Sequence, residues 1–273
     1  MAANLPSQRS RTCVALCWPF GDHAVAFMSL KIIGGDYRGR VLRAVRGLGT
    51  RPLLGQVRES LFNILQDRIQ GAVVWDLFAG TGASGIEALS RGAARVLFAE
   101  KNGRAVDVLK GNLQMLGTEA VERAVVQRVD AWDPPPMTPA VFGAEGHEED
   151  ADASTDREVA PDVVFLDPPY ALVAEDPVKS MARARKLLDR VARGGCVLFH
   201  FEAGVLDEDD FDDDVDLDLR EWGSTAIAMM WRKGEAPERL HRRWAKERGE
   251  TADRDDGLRA GDERGDRDGH DDA

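Results

Sequence analysis

Only three cysteines, Cys13, Cys17 and Cys196, occur in 273 residues. They are too few and too unevenly spaced for a disulfide framework, which favours a reducing compartment. Cys13 and Cys17 have no second ligand pair nearby, so no metal site is expected there. No apolar run reaches the roughly 18 residues of a membrane-spanning helix. Basic charge is also in deficit: 36 Lys and Arg against 48 Asp and Glu give a net charge of -12. Over the whole chain that balance argues against a polyanionic partner, because nucleic-acid binding neutralises phosphates with Lys and Arg. What is present is a globular composition, 43% hydrophobic and 31% charged, long enough for one large domain or two small ones. A soluble cytoplasmic monomer is expected.

The charge is unevenly distributed. Residues 133–162 carry -8, residues 202–221 carry -10 and residues 234–273 carry -4, so the rest of the chain carries +10. Half of that excess lies in residues 31–68, where eight Lys or Arg face three acids. The body is therefore basic, with acidic loops and a charged tail, and the objection to a nucleic-acid partner weakens. We divide the chain into an extension (1–27), a basic hairpin and helix (28–70), a main domain (71–233) with an acidic loop at 133–161, and a tail (234–273). The tail is expected to be mostly disordered for lack of apolar residues, beginning with a short helix around Leu240 to Lys246. Met28 reads as the natural start, with a secretory signal as the alternative for the extension.

The middle of the chain alternates strands with helices. Val73–Asp76, Arg95–Glu100, Ala124–Val126, Asp162–Leu166 and Gly195–Phe201 are apolar strand runs. Helices are expected over Ser84–Arg91, over the stretch carrying Val106, Leu109, Leu113 and Leu116 between an Asn102 cap and a Gly117 stop, and over Asp176–Val191. Leu217–Arg220 and Thr225–Trp231 read as a hairpin. The expected fold is a doubly wound, mostly parallel seven-stranded α/β sheet, Rossmann-like, with an antiparallel C-terminal hairpin.

Two motifs carry chemistry. The first strand runs into Asp76-Leu77-Phe78-Ala79-Gly80-Thr81-Gly82-Ala83-Ser84-Gly85, a glycine-rich strand-to-helix turn that lets backbone approach a nucleotide closely. Glu100 follows about twenty residues later and can accept both ribose hydroxyls. Asp130 follows the third strand, where it can accept from an adenine amine or serve as a turn residue, and Trp132 beside it packs near adenine or covers the core. The second motif is Asp167-Pro168-Pro169-Tyr170. The prolines hold the strand end rigid. Asp167 and the Pro168 carbonyl can accept from an exocyclic amine while Tyr170 stacks on the base. The arginines of residues 31–68, with Tyr37, suit phosphate contact and base stacking.

With Ile32-Ile33-Gly34-Gly35-Asp36-Tyr37-Arg38-Gly39-Arg40, Arg51-Pro52, and Val57 through Leu65, these motifs resemble the RsmD family, the 16S ribosomal RNA guanine-N2 methyltransferases, within the class I S-adenosylmethionine-dependent methyltransferases. The resemblance spans roughly Leu30 to Arg232. It implies S-adenosylmethionine as cofactor, held by Asp76, Phe78, Ala79, Gly80, Thr81, Gly82, Glu100, Lys101, Asp130 and Ala131. It implies a catalytic set of Asp167, Pro168, Pro169 and Tyr170, and RNA contacts from Arg38, Arg40, Arg43, Arg51 and Arg58. The implied partner is ribosomal RNA or an assembling small subunit, with no membrane and no metal. Leu53-Leu54-Gly55-Gln56 depart from the family's usual residues after Arg-Pro. The alternatives are methylation of adenine N6 or another exocyclic amine, a catalytically dead RNA-binding module, or an NAD-dependent oxidoreductase, for which Asp167–Tyr170 has no use.

Overall fold

The computed structural model describes residues 30–45, 55–138 and 159–247. The expectations for the extension, Cys13 and Cys17, Arg51, the centre of the acidic loop and the end of the tail lie outside those residues.

A small hairpin, β1 (Leu30–Lys31) and β2 (Val41–Leu42), leads into α1 (Gly55–Ile64) and α2 (Gln66–Ile69). The main sheet then alternates: β3 (Val73–Leu77), α3 (Ala83–Ser90), β4 (Arg95–Ala99), α4 (Gly103–Leu116), α5 (Thr118–Glu122) and β5 (Ala124–Gln127). After the acidic loop come β6 (Val163–Leu166), α6 (Tyr170–Glu175), α7 (Pro177–Leu187), β7 (Cys196–Glu202), β8 (Val215–Trp222), β9 (Thr225–Arg232) and α8 (Glu238–Glu247). The seven strands lie in the order β5-β4-β3-β6-β7-β9-β8. The first five are parallel, and β9 runs antiparallel to both β7 and β8.

Successive strand side chains fill two cores. Val163, Phe165 and Leu198 pack with α1, α3 and α4 on one face, whereas Val164, Leu166 and Phe199 pack with α7 on the other. Burial on both faces explains why the strand runs are almost wholly apolar rather than alternating. Cys196 lies within the sheet, where burial pushes its thiol up to about 12, so it packs as an apolar residue. The expected Asn102 cap forms, its Oδ1 accepting from the Arg104 and Ala105 amides at 3.0 and 3.3 Å. Asp176 likewise accepts from the Lys179 amide at 3.0 Å, with Pro177 at the first position of α7.

The hairpin is docked on α3 by polar side chains. Glu87 is buried and accepts from the Ile33 and Gly34 amides, both at 2.8 Å. Ser90 Oγ accepts from the Tyr37 amide at 2.9 Å and donates to the Gly34 carbonyl at 2.5 Å.

The short helix expected around Leu240 to Lys246 is present as α8. Order continues past residue 233: Leu240 of α8 is 4% exposed and joins the core. The acidic run passes into the strand expected around Leu217–Arg220, and Asp216 and Asp218 are buried on β8. Asp218 pairs with Arg220 and with Arg243 of α8 at 2.9 and 2.7 Å. A short helix sparse in apolar residues holds its place here through buried carboxylates, which composition alone does not reveal.

Candidate active site

β3 is the switch point of the sheet. It pairs with β4 on one side and β6 on the other, so the turns leaving the C-terminal ends of β3 and β6 face each other across a crevice. The glycine-rich motif occupies the first turn and Asp167–Tyr170 the second.

In the first turn Phe78 has φ +61°, the only non-glycine residue with positive φ among those described, followed by Gly80 at +54° and Gly82 at +87°. The glycines serve different ends. A Cβ on Gly82 would lie 2.2 Å from Leu109 Cδ1, and one on Gly85 would lie 2.3 Å from Phe98 Cε1, so these two admit close packing of the turn on α4 and β4. A Cβ on Gly80 would meet nothing nearer than the Phe78 carbonyl at 4.0 Å. Gly80 faces open space. Asp76 is 2% exposed and braces the turn from below, its Oδ2 accepting from the Gly85 amide at 2.8 Å. Burial pushes its carboxyl well above the usual range, against the Gly85 bond and with Asp167 and Glu100 adding repulsion. Ala79 is buried and its amide bonds the Ala99 carbonyl at 3.1 Å, tying the turn to β4.

Glu100 also braces the motif, accepting from the Gly80 amide at 2.9 Å through Oε2 and from Asn102 at 2.7 Å through Oε1. Each oxygen keeps a lone pair for a further donor. Lys101 is exposed beside it. Asp130 is exposed, and its Oδ1 accepts from the Trp132 amide at 3.0 Å, while Ala131 between them is buried. The Asp130 turn and the glycine-rich turn meet through Phe78 and Trp132, whose rings pack edge to face at 5.1 Å.

Across the crevice, Asp167 follows β6 and Pro168 is buried behind it. Tyr170 opens α6, a helix the sequence did not suggest. The Tyr170 hydroxyl lies 2.8 Å from His200 Nε2 and 3.1 Å from Thr225 Oγ1, and His200 Nδ1 lies 2.5 Å from Asp167 Oδ1. His200 and Thr225, absent from the sequence-derived set, therefore link both ends of the motif. His200 also borders a small hollow with Leu61 of α1, Ser84 of α3 and Asp167.

The basic hairpin divides. Arg38, Arg40 and Arg43 are exposed, although Arg40 Nη1 also reaches the Met115 and Leu116 carbonyls at the end of α4, both at 3.3 Å. Asn112 of α4 is buried and joins this hairpin to the glycine-rich turn. It accepts from the Arg43 amide at 2.8 Å and donates to the carbonyls of Arg43 and Thr81 at 3.1 and 3.0 Å. Arg58 corrects the expected RNA set. It is 2% exposed, and its Nη2 donates to the Lys31 carbonyl at 2.5 Å, so no phosphate can reach it in this arrangement. Burial lowers its pKa, with nearby Glu87 opposing that shift. Tyr37 is likewise 8% exposed, its hydroxyl accepting from Arg123 at 3.3 Å, and it offers no free face for a base.

Solved structures resemble this fold closely enough to define its class. The Escherichia coli protein yhhF, titled provisionally as a methyltransferase, has a TM-score of 0.56 and 26% identity over 75% of this chain and 98% of its own. HI0767 of Haemophilus influenzae, titled provisionally as a methylase, has a TM-score of 0.52 and 26% identity with the same coverage of both chains. The sheet, its C-terminal hairpin and the two facing turns are those of a Rossmann-like methyltransferase. At the level of sequence, the family model described as Conserved hypothetical protein 95 matches residues 30–204. Bacillus subtilis YlbH, provisionally named an rRNA methyltransferase, is 31% identical over 205 residues, 75% of this chain and all of that protein. Haemophilus influenzae ribosomal RNA small subunit methyltransferase D is 35% identical over 143 residues, 52% of this chain and 64% of that protein. The chain belongs to this family, the RsmD-type rRNA methyltransferases.

Proposed function

We propose that the protein moves a methyl group from S-adenosylmethionine to the exocyclic N2 amine of a guanine in small-subunit ribosomal RNA. The observation that carries this reading is the meeting of two turns across one crevice. One offers an open backbone at Gly80 beside Glu100, and the other a carboxylate at Asp167 on a proline-stiffened strand end.

The first turn fits the cofactor. The space a Gly80 Cβ would enter admits close backbone approach, and the remaining lone pairs of Glu100 suit two ribose hydroxyls and exclude a 2′-phosphate. Asp130, with one oxygen engaged by Trp132, has its other oxygen for the adenine amine. S-adenosylmethionine, when bound, supplies an electrophilic methyl group on a sulfonium sulfur that departs as a thioether.

The second turn prepares the amine. Its nitrogen is a weak nucleophile because the lone pair is delocalised into the ring. Acceptance of its hydrogens by Asp167 and the Pro168 carbonyl biases that nitrogen toward tetrahedral geometry and aims the lone pair. Positioning of this kind lowers barriers by about 7–11 kcal/mol in favourable cases, so no strong base is required. The proton shed by the methylated nitrogen passes to Asp167. Guanine suits a carboxylate better than adenine does: N1–H and N2–H both donate toward it, whereas the amine of adenine stands beside the N1 lone pair, which a carboxylate repels. Arg38, Arg40 and Arg43 are the proposed phosphate contacts on the hairpin.

Nucleoside mass spectrometry of 16S ribosomal RNA from cells with and without the gene tests the reading. Loss of one N2-methylguanosine is expected. Unchanged N2-methylguanosine with a missing N6-methyladenosine would move the assignment to adenine, and an unchanged modification map would overturn it.

A further inference from the structure

His200 lies in the run Cys196-Val197-Leu198-Phe199-His200-Phe201, where every neighbour is apolar and buried, and is itself 6% exposed. Burying an imidazole among such side chains costs free energy unless both nitrogens are bonded. Both are. Nδ1 meets Asp167 Oδ1 at 2.5 Å and Nε2 meets the Tyr170 hydroxyl at 2.8 Å, which in turn meets Thr225 Oγ1 at 3.1 Å.

The chemistry of these groups assigns the hydrogens. A carboxylate only accepts, so Nδ1 carries a proton; in the neutral imidazole Nε2 then only accepts, so the tyrosine hydroxyl donates to it. The tyrosine oxygen is left to accept from Thr225. Donation thus runs in one direction, from Thr225 through Tyr170 and His200, and ends on Asp167. Among the described residues no donor bonds Asp167 Oδ2, and the Asp167 side chain is one-third exposed (33%).

We propose that His200 is the positioning residue of the base site. It holds one Asp167 oxygen so that the other is presented to the amine, and it holds the Tyr170 ring at a fixed angle, 72° to its own plane. Acceptor and ring are thereby aligned as one unit, anchored at the far end by Thr225 on β9. This rests on the reading of Asp167 as the group that binds the amine. It goes further in naming what orients that group, since His200 itself touches no substrate.

The test compares His200→Phe, His200→Asn and Thr225→Val with wild type, following methyl incorporation into ribosomal RNA from a deletion strain. Binding of S-adenosylhomocysteine is measured alongside by calorimetry. Asparagine can place its amide N–H where Nδ1–H stands; phenylalanine cannot. His200→Phe is expected to lower kcat about 10- to 100-fold with cofactor affinity within about 3-fold, and His200→Asn to recover most of that loss. Thr225→Val, which keeps shape and removes only the distal donor, is expected to lower kcat by a few-fold and serves if His200→Phe fails to fold. Long-range proton–nitrogen spectra of the wild-type imidazole are expected to place the proton on Nδ1. Equal kcat in the phenylalanine and asparagine variants, unchanged kcat in Thr225→Val, or a proton on Nε2 would each overturn the proposal. If wild type itself transfers no methyl to the RNA, the proposed function has failed and the inference falls with it.

Discussion

Gly80 and Gly82 are two residues apart, and one added methyl group should produce opposite phenotypes at them. In Gly82→Ala the new Cβ would lie 2.2 Å from Leu109 Cδ1 and 3.1 Å from Ile86 Cδ1, at a backbone φ of +87°. An L-residue in the left-handed region costs about 1–2 kcal/mol, and forcing a methyl into a packed site about 1–3 kcal/mol more. The loss of stability is therefore roughly 2–5 kcal/mol, or roughly 4–20 °C in Tm for a domain of this size. In Gly80→Ala, φ is +54° and the nearest neighbour is 4.0 Å away, so only the backbone cost of roughly 1–2 kcal/mol applies. Its methyl group, however, enters the space assigned to the cofactor. Urea unfolding and calorimetry with S-adenosylhomocysteine separate the two effects. Gly82→Ala should shift the unfolding midpoint strongly. Gly80→Ala should shift it little but weaken binding at least about tenfold, corresponding to about 1.4 kcal/mol of lost contact. Wild-type affinity in Gly80→Ala would remove Gly80 from the cofactor site, and wild-type stability in Gly82→Ala would refute the packing argument.

Asp76 has a carboxyl pKa raised by burial, so the folded state disfavours its charge and wild-type stability falls as pH rises from the unfolded carboxyl range toward the raised value. Asp76→Asn keeps an acceptor for Gly85 and carries no charge, so its stability relative to wild type should rise as pH increases above the unfolded carboxyl range in urea unfolding; a difference that does not change with pH would show that Asp76 is not the group responsible. Asn112→Leu strands the Arg43 amide and the Arg43 and Thr81 carbonyls and should cost roughly 2–4 kcal/mol, with a loss under about 0.5 kcal/mol telling against the link. Arg38→Ala should reduce the slope of log binding constant against log salt for RNA by about 0.7–1 with stability nearly unchanged. Arg58→Ala should instead lower stability and leave that slope alone, and the reverse pattern would reinstate Arg58 as an RNA contact.

The sheet was legible because its strands are buried on both faces and read as apolar runs, and because Asn102 and Gly117 mark the ends of α4 by local chemistry. α6 was not legible: its six residues directly follow two prolines and are too short for a helical period to register. His200 was hidden for a different reason. Its partners stand 30 and 33 positions away in sequence, and a lone histidine inside an apolar strand carries no local sign of them. Arg58 and Tyr37 erred the other way. Both were assigned by residue type to a basic, RNA-facing stretch, whereas α1 and the hairpin turn them into the core, where hydrogen bonds to Lys31 and Arg123 receive them. The family resemblance puts Asp76 among the cofactor-holding residues, yet the turn folds over it, and its buried carboxylate bonds the Gly85 amide.

The acidic loop leaves and rejoins the domain at nearly one point. Val159 donates to the Met137 carbonyl at 2.5 Å, and Arg190 clamps the Pro134 carbonyl at 2.7 Å while its guanidinium lies 4.6 Å from the Trp75 ring centroid. With the two ends fastened by the domain itself, the twenty residues at 139–158 need not bridge any distance. Replacing them with about four residues would change the closure entropy by only about 1.4 kcal/mol, in favour of the folded state. The closure between Met137 and Val159 thus sets no requirement on the length or charge of the sequence that joins them.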